Sequence, residues 1–424
     1  MKNKLIPILL LTAILLAACS KAEDPSQVIE PVATALIEGQ EIVDPAEETT
    51  APLDGPFTSA EDPCKPFSLI TQSLVAPYSG LPPVTDEDWV VGPDDAAVTF
   101  MVYSEPQCPY CAQFEPLMNA IQAQYPNDVR TVYRHRPFPE SFHDKSIIAA
   151  QALEAAGKQG KFNDFKNFLF EQQSTWAPVP KNDFYAWLEK NLGNFEIEPT
   201  QFKEDMYSKE VVDKIDAAAK SANSLGINGT PTLFINEHQW PENERSLEIF
   251  SIYVRLIKNQ VNEYDSCAPT VIQDGKDYSA TISTTKGDIV VDLFEESAPY
   301  AVNSFVFLAQ EGWYDGLSIF ANDNILLSGD PTDTTFGGPG YVYLDEIDPE
   351  LTLDDPGQLA TYSLEPGKNG SSFFINKTII EGVDNITIFG EVTEGMDVVN
   401  AIELTSDSNT PVRDRILSVT INEK

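Results

Sequence analysis

Cys108 and Cys111 stand three positions apart in the stretch SEPQCPYC, directly after the apolar run AAVTFMVY. Two thiols at that spacing can clip a metal, staple the chain or exchange electrons. A structural metal site needs about four ligands, yet no second CxxC and no histidine lies within twenty residues of the pair. A disulfide across so short a span closes too small a loop to restrict the unfolded chain much. The redox reading fits the mechanics. A helix that starts at the pair sets the first sulfur against free backbone N–H groups and the positive end of the helix dipole, which favours the thiolate. Cys108 is then the nucleophile, and Cys111, one turn further in, resolves or completes the disulfide. Pro109 suits the first helical position, where no N–H is needed.

The surrounding pattern supplies the elements that would hold such a pair. Ala96 to Tyr103 reads as a buried strand, a helix starts at Pro109, and VRTVYRHRPF reads as a second strand. Helical patterns follow at SIIAAQALEAAGKQ, FNDFKNFLFEQ, DFYAWLEKNL and VVDKIDAAAKSANSLG, then the turn and strand GINGTPTLFIN, then the helix SLEIFSIYVRLIKNQV. That order predicts an α/β domain with a parallel core sheet and a helical insertion. Near Asp277 the pattern changes to short strands, one clear helix at AVNSFVFLAQ and Gly-rich turns such as FGGPGY, which predicts a closed, mainly β barrel.

The first nineteen residues, MKNKLIPILLLTAILLAAC, place Lys2 and Lys4 ahead of an apolar core too short to span a bilayer with ease, as in an export signal. LAAC resembles the lipobox of bacterial lipoproteins, which implies cleavage before Cys19 and lipidation of that residue. A soluble secreted protein or an uncleaved anchor stays open. Residues 20–63, rich in Pro, Ala and acidic side chains, read as a disordered tether. The expected location is extracytoplasmic, on the cell membrane or envelope. Thiols there are usually oxidised. With Cys19 lipidated, four of the five cysteines remain, and Cys64 and Cys267 are expected to form a disulfide joining the ends of the first domain. A second redox pair shuttling with Cys108 is the alternative. The net charge of −39 repels phosphate backbones and argues against nucleic-acid binding.

From about Val98 to Val261 the chain resembles the DsbA-like branch of the thioredoxin superfamily. CPYC at 108–111, YRHRPFP with the helix AAQALEAAGKQGKF, and GINGTPTLFIN at 226–236 carry the likeness. The resemblance implies that Thr230-Pro231 is cis and lies beside the CxxC, with the Thr230 backbone pairing with the peptide being oxidised and Pro109 and Tyr110 on the substrate side. Relatives often carry an acid six positions before the first Cys; here that position is Val102, leaving Glu105 or a water as the substitute. His135 and His143 are taken as structural or exposed.

From about Tyr278 to Glu423 the chain resembles cyclophilins, the peptidyl-prolyl isomerase family, through TTKGDIVVDLFEESAPYAVNSFVFLAQEGWYDG, SGDP, FGGPGY, NGSSFFIN and IFGEVTEGMDVVNAI. The family site pairs an apolar proline pocket with an Arg that weakens the prolyl amide resonance behind a barrier of ~18–20 kcal/mol. In SIFANDNILLSGDP, Phe320 is retained, Ala321 and Asn322 take the His and Arg places, and Leu327 stands where Gln is usual. Phe374 keeps the pocket wall, Ser372 replaces a Gln, and Ile386 falls where the family has a His or aromatic residue. Arg413 and Arg415 are assigned to the closing strand.

The expected organisation is therefore a signal at 1–19, a tether at 20–63, a DsbA-like thioredoxin domain at 64–268 and a cyclophilin-like domain at 269–424. The expected function is thiol-disulfide exchange on exported polypeptides that contain cysteines, with no cofactor or metal, a membrane partner that reoxidises the pair, and weak or lost isomerase activity. An active prolyl isomerase and a non-catalytic polypeptide-binding lipoprotein are the alternatives.

Overall fold

The computed structural model describes residues 63–70, 76–241, 245–383, 385–405 and 413–424. The leader, Cys19 and nearly all of the tether lie outside the described residues. Among the described residues no helix is long and apolar enough to cross a membrane.

The run AAVTFMVY becomes β3 (Val98–Ser104), buried at every position but one. It lies at the centre of a five-stranded sheet with β2 (Trp89–Val91), β4 (Val129–His135), β5 (Thr232–Ile235) and β6 (His238–Gln239), in the order β2-β4-β3-β5-β6. Only β3 and β4 run parallel. The pairs β2·β4, β3·β5 and β5·β6 are antiparallel, so the sheet is mixed where a parallel one was expected. Helix α1 (Pro109–Gln124) buries Cys111, Phe114, Met118 and Ile121, a stripe at helical period facing the sheet.

The insertion consists of α2 (Ser146–Lys158), α3 (Phe162–Glu171), α4 (Gln173–Trp176), α5 (Lys181–Asn191), α6 (Pro199–Met206) and α7 (Lys209–Ser224). The buried alanines 149, 152, 155 and 156 of α2 let aromatic side chains such as Phe162, Phe165 and Trp176 gather in one cluster. Gly157 is required there: a Cβ would stand 2.2 Å from the Trp89 ring. Helix α8 (Leu247–Asn259), capped by the Ser246 hydroxyl on Ile249 N, covers the other face of the sheet.

The second domain carries β7 (Tyr278–Thr284), β8 (Gly287–Leu293), α9 (Pro299–Gln310), β9 (Phe320–Ala321), β10 (Ile325–Ser328), β11 (Tyr341–Tyr343), β12 (Gln358–Thr361), β13 (Phe373–Asn376), β14 (Ile388–Glu394), α10 (Met396–Ala401) and β15 (Ile416–Glu423). Eight of these strands form an antiparallel sheet in the order β15-β7-β8-β14-β12-β13-β10-β9. The expected closed barrel is a curled, half-barrel sheet instead. Its edge strand β9 is two residues long, and its edges meet through an isolated bridge between Ser318 and Arg415.

The two domains are physically joined within one unit, Ser59–Lys424. Strand β1 (Cys64–Pro66) pairs antiparallel with β11 of the second domain, although the sequence boundaries put it at the head of the first. Cys64 bonds to Cys267 across 203 positions, and both cysteines pack on the second domain's core. The loop 329–340 leans on α8: Arg255 donates to Asp333 O at 3.3 Å, Tyr264 N donates to Pro339 O at 2.8 Å, and Phe336 packs on the cluster that contains Phe250. Gly340, at φ +89°, permits this approach, since a Cβ would meet Tyr264 O at 2.4 Å.

Closing so long a loop stabilises the fold by up to about 5 kcal/mol in the chain-entropy account. The double variant C64S/C267S should unfold at clearly lower denaturant concentration. Hydrogen exchange should quicken at the Phe67 and Leu344 amides, which bond to Gly340 O and Pro63 O. Unchanged stability and exchange would refute the clamp role.

Candidate active site

Strand β3 ends at Ser104 and delivers the chain into a tight turn in which Cys108 N donates to Glu105 O at 3.1 Å. Cys108 is the N-cap of α1, with extended backbone at φ −72°, ψ 121°, and Pro109 is the first helical residue. The insertion braces this turn from outside. Gln173 donates to Pro106 O at 2.7 Å and to Cys108 O at 2.9 Å, and the Gln107 amide links Asp144 and Lys145 N. None of these contacts had a sequence signal, because each joins positions 37 or more apart.

Cys108 and Cys111 are the free thiols among the described residues, and both are buried. The Cys108 thiol is pushed down to about 6. The chief cause is the Cys111 S–H, which donates to its sulfur; burial opposes, while the Thr230 hydroxyl and the N–H groups of Cys111 and Tyr110 add to the lowering. Cys111 is held well above the ordinary thiol range, first by burial and then by its neighbour's charge and hydrogen bond. One thiol is thus a nucleophile at neutral pH and its partner stays protonated.

The turn before β5 closes the other side. Thr230-Pro231 is cis, and the Cys108 sulfur lies 3.3 Å from Thr230 O. Arg136 donates to Ile227 O at 2.7 Å and Arg245 to Pro231 O at 3.1 Å, so two guanidinium groups hold this turn. Tyr110, within the CPYC stretch, and Phe142, packed against His143, are 69% and 68% exposed.

Glu105 is buried at the turn, accepting from Gln107 N at 2.9 Å and bonded to His143 Nδ1 at 2.8 Å. That bond is the chief cause that raises the His143 pKa, and the nearby Cys108 charge adds to it. His135 is buried against Glu154, Nε2 to Oε1 2.8 Å. It serves the packing beneath the site.

In the second domain the sequence-matched pocket residues come together without forming an open pocket. Leu327 pairs with Phe374 across β10 and β13, and both pack with Ile325, Tyr362 and Ile386. Asn322 is exposed; its side-chain oxygen accepts from the Asn324 and Ile325 amides and so serves a turn. Ala321 is buried and bonded to Thr405. Phe320, Leu327, Tyr362 and Ser372 border a small cavity of about 10 Å³. Arg413 precedes the closing strand, but its guanidinium lies 4.2 Å from the Phe320 ring centre.

Comparison with known proteins matches both halves. Residues 84–254 match the thioredoxin family and residues 279–421 the cyclophilin type peptidyl-prolyl cis-trans isomerase/CLD family. Peptidyl-prolyl cis-trans isomerase A of Mycobacterium tuberculosis is 39% identical over 168 residues, covering 34% of this chain and 92% of that protein. Na(+)/H(+) antiporter NhaA 3 of Salinispora tropica is 32% identical over 164 residues, covering 38% of this chain; the chain spans about a quarter (24%) of that relative's length. The crystal structure of Wolbachia pipientis α-DsbA1 aligns at 20% identity and TM-score 0.37, covering 42% of this chain and 94% of that one. The chain belongs to the cyclophilin type peptidyl-prolyl cis-trans isomerase family through residues 279–421, and its residues 84–254 match the thioredoxin family.

Proposed function

We propose that the chain is an extracytoplasmic thiol-disulfide oxidoreductase, anchored through Cys19, that oxidises cysteines of exported polypeptides. The observation that carries this reading is the Cys108 sulfur, seated at the start of α1 beside Thr230 O and ionised near neutral pH. A substrate thiolate attacks the Cys108 sulfur of the oxidised pair, forming a mixed disulfide and releasing Cys111. A second substrate thiolate then attacks the substrate sulfur, completes the substrate disulfide and leaves Cys108 as a thiolate. Both electrons now reside on the pair, and a membrane partner takes them. The low Cys108 pKa stabilises the reduced pair, the property of a strong oxidant. The exposed Tyr110 and Phe142 suit apolar segments of unfolded clients.

The isomerase reading is the weaker one for this chain. Asn322 offers no cation, the nearby Arg413 guanidinium is stacked on the Phe320 ring, and the wall residues Leu327, Phe374 and Ile386 pack on one another. Losing such a donor costs about 10²- to 10³-fold in rate. The second domain then acts as a packing partner of the redox domain.

The alkylation rate of Cys108 in the reduced chain should be nearly flat above pH 7 and fall through a midpoint near 6 as the thiolate protonates. A midpoint in the range of an ordinary thiol, about 8.5, would refute the proposal. The pair should have a reduction potential of about −220 mV or higher; a value near −270 mV would assign a reductase instead. Cys108→Ser should abolish oxidation of a dithiol peptide while leaving the circular dichroism unchanged. In a proline-switch peptide assay the full chain should show at most about a hundredth of ordinary cyclophilin turnover, and full turnover would restore the isomerase.

A further inference from the structure

Glu105 carries its carboxylate on a fully buried side chain, on the same turn as a sulfur that must itself become negative. Two anions close together oppose each other, and a buried anion without a partner is strongly unfavourable. The acid suits this place only if a cation meets it.

The backbone and side chain of Glu105 together shape the entry to α1. Its carbonyl accepts from Cys108 N at 3.1 Å, and one carboxylate oxygen accepts from Gln107 N at 2.9 Å. The other oxygen lies 2.8 Å from His143 Nδ1, and among the described residues His143 is the ion-pair partner of Glu105. The nearest lysine along that segment is committed elsewhere: the Lys145 ammonium rests on the Asp144 carboxylate and donates to Ala177 O. The His143 ring is fixed between two aromatic neighbours, 4.6 Å from the Phe142 ring and 5.7 Å from the Phe138 ring, and His143 N donates to Pro139 O. Its side chain stays 18% exposed, so solvent can protonate it. The segment also reaches the opposite wall of the site, since Arg136 lies 4.7 Å from the Phe138 ring and donates to Ile227 O ahead of the cis bond. Charged or titratable groups facing His143 are therefore Glu105 on the turn, Cys108 at the start of α1, and Asp144 with its partner Lys145 on its own segment.

We infer that His143 is a positioning residue of the redox centre: its imidazolium neutralises Glu105, so that the carboxylate fixes the turn into Cys108 without opposing the charge on the sulfur. His143 acts through Glu105 and takes no part in the exchange of bonds. The Glu105 bond raises the His143 pKa, which keeps the ring cationic while Cys108 ionises. As the pH rises through the titration of the ring, that protection of the thiolate is lost. This inference rests on the oxidoreductase reading.

The test is the pH dependence of Cys108 alkylation in the reduced full chain. His143→Asn keeps a nitrogen donor in the Nδ1 place and removes the positive charge. Its midpoint should rise from near 6 to about 7 or above, so that alkylation at pH 6 slows about tenfold, while at about pH 9 the two chains react alike. A role in packing alone would slow alkylation at every pH or lower the melting temperature, and would leave the midpoint where it was. The double variant Glu105→Gln/His143→Asn removes both charges, and its midpoint should return to near 6. Should His143→Asn fail to fold, the double variant should fold again, because no buried charge is left unpaired. An unchanged midpoint in a folded His143→Asn, a raised midpoint in the double variant, or a double variant that stays unfolded would overturn the inference while leaving the oxidoreductase standing. An ordinary thiol midpoint in the wild-type chain would instead sink the oxidoreductase reading itself.

Discussion

A charged sulfur cannot rest in a protein interior unless donors surround it, and the first domain is arranged to meet that condition at one point. The donors at Cys108 are the Cys111 S–H and the unpaired N–H groups that any helix start leaves over. They serve only if the helix begins at Cys108. That start depends on the turn from β3, the proline at the first helical position, and the Gln173 and Gln107 bonds that keep the insertion pressed on the turn. The turn before β5 lies against the sulfur, with Thr230 O 3.3 Å away. Two arginines hold backbone carbonyls there.

The same logic explains why the second domain keeps a fold while its site changes. Its core of Phe305, Tyr314, Phe373 and Phe389 depends on strand pairing and helix α9, and neither needs an arginine at position 322. With that position given to a turn, aliphatic side chains at 325, 327 and 386 close over Phe374. The loop 329–340 is held by its own Asp330, which accepts from the Thr332 and Thr334 amides, and by contact with α8.

Much of this was legible in the sequence because the signals were local. The CPYC spacing, the apolar run ahead of it and the GTP turn each declared an element within a few residues, and the FAN stretch could be read against an expected pattern. The mixed sheet was missed because strand direction is set by where a returning chain docks, which GINGTPTLFIN alone does not encode. The buried pairing of Glu115 with Lys166, and the place of Tyr133 near them, had no local sequence signal. Their meeting is a product of the α1, α3 and β4 arrangement, across 51 positions of chain from Glu115 to Lys166. The pairing of β1 with β11 was equally hidden, since three residues of CKP carry almost no strand signal.

That pairing decides where a mechanical load would travel. A pull on the chain ahead of Pro63 enters beside β11, and the covalent bridge passes it directly to Cys267 at the start of the second domain. The five-stranded sheet that supports the redox sulfur lies inside the bridged loop, in parallel with the bond instead of in series with it. Tension that would peel strands or lengthen helices is borne by a sulfur–sulfur link, and the five-stranded sheet stays out of the line of force.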